Sequence, residues 1–389
     1  MTVCIVGWAH GVFSRAPEED LESLLCGVAA DALADAGLEA AEMDAAYVGV
    51  FNAGFSRQDF PAPLLLHAAP GLRFKPVTRV ENACATGSAA IHAGMDFIES
   101  GRGKLVLVAG AEKMTGVSTA EAGDNLLCAS YRKEESDIAG GFAGVFARIA
   151  QQYFSAYGDK SEALARIAAK NHANALDNPY AQMRKDFGFE FCNTISDKNP
   201  YVAPPLRRTD CSLVSDGAAA LVLADEETAR AMKKAVALRA AVQATDFMPL
   251  SRRDLTRFEG PRVAWQQALA AAGVSLQDLS LVEVHDCFTI AELLAYEAMG
   301  LTPQGEGARA IDEGWVLKDG ILPVNRSGGL KAKGHPIGAT GVSMHVLAAM
   351  QLTGSAGGMQ IADASLAGVF NMGGLAVANY VSILEPLRA

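Results

Sequence analysis

Cys84-Ala85-Thr86-Gly87 returns near the far end of the chain, one letter changed, as Gly338-Ala339-Thr340-Gly341. The first copy carries a cysteine, and the second follows directly on Gly334-His335-Pro336-Ile337. Each copy opens a small-residue, amphipathic stretch, 88–98 in one case and 342–352 in the other. A chain that repeats one strand-turn-helix unit in two halves is expected to bring both turns to a shared pseudo-two-fold axis. A thiol from one half would then meet an imidazole from the other, as nucleophilic thiol catalysis requires.

The bulk composition agrees with that reading. A length of 389 residues exceeds one ordinary core and suits two or three domains. Half the residues are hydrophobic and 38 are glycine, which fits a layered α/β protein with many tight turns. The net charge is -11 and no Lys/Arg run occurs. Nucleic-acid binding by charge is therefore not expected, nor is a polybasic membrane contact. No apolar run reaches membrane-spanning length. The opening Thr2-Val3-Cys4-Ile5-Val6-Gly7 lacks a basic leader and reads as a buried strand, and the closing Leu387-Arg388-Ala389 is no recognisable address signal. Seven scattered cysteines point to reduced thiols and a cytoplasmic setting. Cys4 and Cys26 lie in apolar surroundings and read as core fillers. Cys128, Cys192 and Cys211 show no metal-ligand spacing, so no metal site is expected.

Short apolar runs at 3–8, 45–51, 104–109, 218–224, 237–244, 280–284, 366–371 and 375–384 read as buried strands. Helical periodicity between them predicts helices at 21–36, 88–99, 262–272, 291–299 and 343–352. The order strand, Cys84 turn, strand recurs as strand, His335 turn, strand. The expected organisation is a first half formed by 1–115 and 207–231, an inserted segment at 116–206, and a second half at 232–389. The insertion is polar with scattered aromatics. A long excursion from a compact α/β core reads as a lid, a binding surface or an oligomer contact.

Four pieces carry the chemistry. Cys84 sits among small residues where a following helix would aim its N–H groups at the sulfur, which predicts a lowered thiol pKa. His335 lies in a loop rich in glycine, 325–341, that lets a ligand approach the backbone. His285-Asp286-Cys287-Phe288 stands at another strand-to-helix turn, and Thr289 and Glu292 have capping-box spacing. Phe370-Asn371-Met372-Gly373-Gly374 reads as a glycine turn whose N–H groups could face a developing oxyanion.

Together these pieces resemble the thiolase superfamily, and are most similar to its sterol-carrier-protein type. The resemblance covers essentially the whole chain and includes Glu112-Lys113-Met114-Thr115, Lys170-Asn171-His172 and Ser215-Asp216-Gly217. It implies a five-layered α-β-α-β-α fold from two similar halves with an inserted loop domain, and a homodimer or homotetramer. It implies that Cys84 is the acylated nucleophile and His335 its base. Common thiolases place an acid/base cysteine where this chain has Asn371. In the sterol-carrier type that cysteine comes from the His-Asp-Cys-Phe motif, which makes Cys287 the candidate. His285 stands where common thiolases hold a water with asparagine. The implied oxyanion sites are the side chains of His335 and His285, and the N–H groups of Cys84 and Gly373.

The implied reaction is thiolytic cleavage of a 3-oxoacyl-CoA to acetyl-CoA and a shortened acyl-CoA, or the reverse Claisen condensation. Coenzyme A and acyl-CoA enter as substrates, with no permanently bound cofactor. Arg184, Lys185, Arg207, Arg208, Lys331 and Lys333 are candidate phosphate partners. Two alternatives share the fold: a ketoacyl-synthase-like or aldolase-like lipid-transfer protein, and a non-catalytic CoA or lipid-binding module.

Overall fold

The structure is a computed structural model and describes residues 2–16 and 18–387. The strands are β1 (Val3–His10), β2 (Ala45–Gly49), β3 (Val77–Val80), β4 (Leu105–Lys113), β5 (Tyr201–Ala203), β6 (Leu206–Arg207), β7 (Asp216–Asp225), β8 (Val236–Thr245), β9 (Leu281–Val284), β10 (Ala367–Gly373) and β11 (Ala378–Pro386). The helices are α1 (Leu21–Ala36), α2 (Thr86–Glu99), α3 (Thr119–Leu126), α4 (Arg132–Glu135), α5 (Gly141–Tyr157), α6 (Ser161–Ala175), α7 (Gly188–Asn193), α8 (Glu226–Arg230), α9 (Glu259–Ala272), α10 (Thr289–Ala298), α11 (Gly307–Asp312) and α12 (Ile337–Leu352). Each expected strand and helix is present. Among the described residues, no helix is long and apolar enough to cross a membrane.

Strand order reveals the internal repeat. The ladder runs β3-β2-β4-β7-β1-β8-β11-β10-β9. In the first half β2 runs parallel to β4, β4 antiparallel to β7, and β7 antiparallel to β1. In the second half β9 runs parallel to β10, β10 antiparallel to β11, and β11 antiparallel to β8. The counterpart of β3 shrinks to one parallel bridge between Val282 and Val324. Among the described residues the two half-sheets join through two residue pairs, Cys4 with Ala237 and Ile5 with Val236.

Both faces of the first half-sheet are apolar, so helices must cover both. Alternate residues of β7 divide between two cores. Ala220, Val222 and Ala224 pack with α1 residues such as Leu25 and Val28, whereas Leu221 and Leu223 pack with Ile91 and Val342 of α2 and α12. Helix α9 covers β8 and β11, and α2 packs on α12 in the middle. The result is the expected α-β-α-β-α stack. Helix α12 has no polar face, because it is enclosed by β4, β7, β10 and α2, and all of its residues but Met350 are buried.

The repeated turn meets its own copy across this central layer. A methyl group built on Gly87 would lie 2.6 Å from Val342 N and 2.8 Å from Gly341 N. One built on Gly341 would lie 2.2 Å from Ser88 N. Glycine is required at both positions for α2 and α12 to approach this closely.

The insertion between β4 and β7 supplies α3 to α7 and the β5–β6 hairpin. Its α6 packs on α10 and on a π-helical turn at Gly329–Lys333, and so reaches the second half beside His335. Two local expectations fail. Residues 370–373 continue β10 rather than turning, and the chain reverses only after Gly373. Thr289 and Glu292 form no capping box. Thr289 Oγ1 donates instead to Asp210 Oδ1 at 2.9 Å, and Glu292 accepts from Asn171 Nδ2 at 2.6 Å and pairs with Lys170. A buried cation outcompetes a local cap for that carboxylate.

Candidate active site

Cys84 lies in the tight turn between β3 and α2. The turn is held in shape by Asn82 N–H, which donates to Thr86 Oγ1 at 2.8 Å, while Ala83 adopts a left-handed φ of 48°. The thiol is 2 % exposed. Burial pushes its pKa up to about 12, and the charges of Glu112 and Glu81 act the same way. The N–H groups of Gly374 and of Cys84 itself face the sulfur and pull the value down, but they do not prevail. Burial thus works against the lowered thiol pKa expected from the helix terminus and outweighs those two N–H groups. Gly373, the expected oxyanion donor, packs its backbone against Asn82, where an added Cβ would lie 2.4 Å from the carbonyl oxygen, and the N–H of the next residue, Gly374, faces the sulfur.

His335 is placed from the other half. Its backbone N–H donates to Ser215 Oγ at 3.0 Å, and its Nδ1 lies 2.7 Å from Thr340 Oγ1. The Thr340 hydroxyl has one proton and directs it at the Pro336 carbonyl, 2.9 Å away. Thr340 Oγ1 must then accept from His335 Nδ1–H. The remaining nitrogen, Nε2, presents a lone pair and has no protein partner. Burial, then the Lys333 charge, lowers the imidazole to about 3, so the ring is neutral.

His285 is fully buried. Its ring stands edge-on to that of His335, with centroids 5.0 Å apart at 88°. Its Nδ1 lies 2.9 Å from Asn371 Nδ2, and its Nε2 is unpartnered. Burial, His335 and Lys333 hold it well below the ordinary histidine range. The sulfur of Cys84 and a ring nitrogen from each histidine all fall within 4.8 Å of one another. Thiolate and imidazole are also the donor types of a zinc site, a grouping that no spacing in the sequence displays. Cys287 is buried but is not a member of that 4.8 Å group. Burial, the Cys84 sulfur and the Asp286 charge raise its thiol well above the usual value.

Two buried carboxylates hold these turns together. Asp286 accepts from Leu330 N–H at 2.6 Å, Lys331 N–H at 3.2 Å and Asn171 Nδ2 at 2.9 Å, which clamps the glycine-rich loop onto α6. Glu112 accepts from Phe51 N–H at 3.0 Å, Asn52 N–H at 2.9 Å and Gly338 N–H at 2.9 Å, which ties the start of α12 to the first half. Burial raises both carboxyls to about 7.

Thr340 and Glu112 lie in motifs that stand out in the sequence, but their partners become visible only in three dimensions. Three of the six basic candidates for a phosphate are not available. Arg207 is buried on Asp210, Lys333 donates to Ser343 Oγ at 2.8 Å, and Lys331 is buried among Asp210, Asp286 and two cysteines. Arg184, Lys185 and Arg208 are exposed.

Known proteins match this arrangement over the whole chain. Residues 3–189 fit the thiolase N-terminal domain and residues 241–386 a thiolase C-terminal domain-like family. An acetyl-CoA acetyltransferase of Methanothermobacter thermautotrophicus is 38% identical over 377 residues, 96% of each chain. Human sterol carrier protein 2 is 32% identical over 360 residues, 88% of this chain and 64% of that one. A solved Ltp2-ChsH2(DUF35) aldolase superimposes with a TM-score of 0.85 at 22% identity, covering 100% of this chain and 98% of that one.

Proposed function

The chain belongs to the thiolase family, and we propose that it cleaves 3-oxoacyl-CoA thiolytically, or runs the reverse condensation, through an acyl group carried on Cys84. The observation that carries this reading is the convergence of Cys84, His335 and His285 from three separate turns at one buried point, with reactive atoms within 4.8 Å of one another. The halves 1–115 with 207–231 and 232–389 would each bring one member of the reacting pair, with 116–206 supporting the loop of the second. The coenzyme would come and go as substrate. A cytoplasmic homodimer or homotetramer remains part of the proposal.

The chemistry follows from the protonation states. The resting pair is a neutral thiol and a neutral imidazole with its Nε2 lone pair free. As the sulfur bonds to carbon 3 of the substrate, its proton passes to His335 Nε2. The alkoxide collapses and the bond between carbons 2 and 3 breaks. Carbon 2 leaves as the acetyl-CoA enolate and takes a proton from Cys287, whose raised pKa keeps it loaded at neutral pH. The Cys287 thiolate so formed is a strong base and deprotonates the incoming coenzyme A. The coenzyme thiolate attacks the acyl group, and Cys84 leaves and recovers its proton from His335. His285 and His335 would serve the thioester oxygen, and the N–H groups of Cys84, Gly373 or Gly374 the other oxyanion. Each such donor is worth about 3–4 kcal/mol in the transition state.

The decisive experiment is mass spectrometry after incubation with acetyl-CoA. An acyl adduct on Cys84, absent from Cys84→Ala, is expected. A protein that binds acyl-CoA but forms no adduct would be a carrier. One that acylates but never cleaves acetoacetyl-CoA or longer 3-oxoacyl-CoA would fall to the aldolase-like or synthase-like alternative.

A further inference from the structure

We propose that Asn371 is a positioning residue that fixes the proton of His285 on Nε2, turning that ring into an oxyanion donor. The inference rests on the acyl-transfer reading for its purpose, but the tautomer itself follows from three contacts.

Asn371 sits on β10 and is fully buried. Its Nδ2 lies 3.1 Å from the carbonyl oxygen of Cys84 and 2.9 Å from His285 Nδ1. Its Oδ1 accepts from the Ser88 hydroxyl at 2.8 Å. A carbonyl oxygen accepts and cannot donate. Rotating the amide by half a turn would set two acceptors against each other at 3.1 Å, so the amide has one permitted orientation. Its second N–H then points at His285 Nδ1, which must hold a lone pair. A neutral imidazole with Nδ1 unprotonated carries its proton on Nε2. That nitrogen is buried and unpartnered, and the ring that carries it brings one of its nitrogens within 4.8 Å of the Cys84 sulfur.

The two histidines thus take opposite tautomers, each set by a neighbouring side chain. Thr340 gives His335 a free lone pair at Nε2, and Asn371 gives His285 a free N–H at Nε2. A base beside the nucleophile and a donor beside the developing oxyanion are the two tasks of the first half-reaction. Gly341 belongs to the same device. A methyl group there would lie 2.5 Å from Asn371 Oδ1 and 2.6 Å from Ser88 Oγ, so the glycine of the second repeat leaves room for the lock.

The test is Asn371→Asp, which keeps shape and volume while replacing the donor with an acceptor. Long-range 15N–1H correlation on histidine-labelled protein reads the tautomer directly, with Asn371→Ala as a second variant and a thermal melt as the fold check. Wild-type His285 is expected to be protonated at Nε2 alone. In Asn371→Asp the proton should move to Nδ1 or the ring should become an imidazolium, and kcat should fall about 10²- to 10³-fold with a smaller change in KM, the loss typical of one oxyanion donor. A wild-type ring protonated at Nδ1 overturns the proposal whether or not the variants fold. So does an Asp variant with both the tautomer and kcat of the wild type. Because the spectrum needs no substrate, a correct tautomer in a protein that cleaves no thioester would sink the acyl-transfer reading and leave the tautomer assignment standing.

Discussion

Replacing Gly341 with alanine adds one methyl group at the point where the repeated turns touch. That carbon would stand 2.2 Å from Ser88 N, 2.5 Å from Asn371 Oδ1 and 2.6 Å from Ser88 Oγ. Non-bonded carbon contacts are comfortable at about 3.5–4.0 Å, so α12 and α2 must part by roughly 1 Å. Neither has room to yield at this point, since α12 is enclosed and the first turn of α2, Thr86 to Ala90, is buried. Overpacking of this kind costs about 1–3 kcal/mol. The same displacement separates Cys84 from His335, and about 1 Å of misplacement in an active site lowers rate by about 10²-fold. Gly27 is the matched control. It lies inside α1 with nothing within 4 Å of the added methyl, so alanine there should stabilise by about 0.5–1 kcal/mol and leave turnover alone. Urea midpoints and pre-steady-state acylation on both variants decide the matter. A Gly341→Ala protein with the midpoint and acylation rate of the wild type would refute the idea that the two turns lock one another in register.

The remaining predictions concern protons. Cys287→Ala should still form the Cys84 adduct, because His335 alone takes that proton, yet lose most turnover for lack of an acid at carbon 2; loss of both steps together, measured by adduct mass and steady-state rate, would make Cys287 structural. Stability should fall steeply as pH drops from about 6.5 toward 4. Six histidines are held below their ordinary value, with His10, His172 and His335 at about 3, His92 and His345 at about 4, and His285 well below. In that window the unfolded chain binds protons that the fold refuses, so each such group contributes up to about 1.4 kcal/mol of lost stability per pH unit. Glu112 and Asp286, both raised to about 7, work the other way, as do Glu283 and Glu297, which burial also raises, because the folded form holds their protons longer. Six groups against four leaves a net loss on acidification, and denaturant midpoints that stay level between pH 7 and pH 5 would contradict it.

The sequence made the scaffold legible because the scaffold is local and repeated. Buried strands such as β7 read as continuous apolar runs, and the two Ala-Thr-Gly turns betray the symmetry. Cys84, His285, Cys287 and His335 could be named because each sits in a distinctive turn. What stayed hidden depends on partners far away in the chain. Glu292 has capping-box spacing from Thr289, but its charge is claimed by Lys170, 122 residues earlier. Lys331 and Lys333 look like solvated cations in a flexible loop, until packing by α6 and Asp286 buries them. Asn371 reads as a missing cysteine, and only its distances to Cys84, Ser88 and His285 reveal that it is a donor with two fixed acceptors.

The same burial that makes the site readable also dictates its chemistry. A thiolate and an imidazolium buried this deeply would lose much of the hydration that stabilises separated charge, so the pair rests neutral. Nucleophilicity cannot then come from a standing thiolate. It must be created as the carbon–sulfur bond forms, with the proton leaving toward a lone pair already in place. That demand explains why hydrogen-bond direction matters more here than local charge. Thr340 and Asn371 change no net charge, yet between them they decide which ring accepts a proton and which donates one. A site assembled from two halves can meet that demand only while both halves stay docked, which places Gly87 and Gly341, buried in the seam, among the residues on which the proposed acyl transfer would depend.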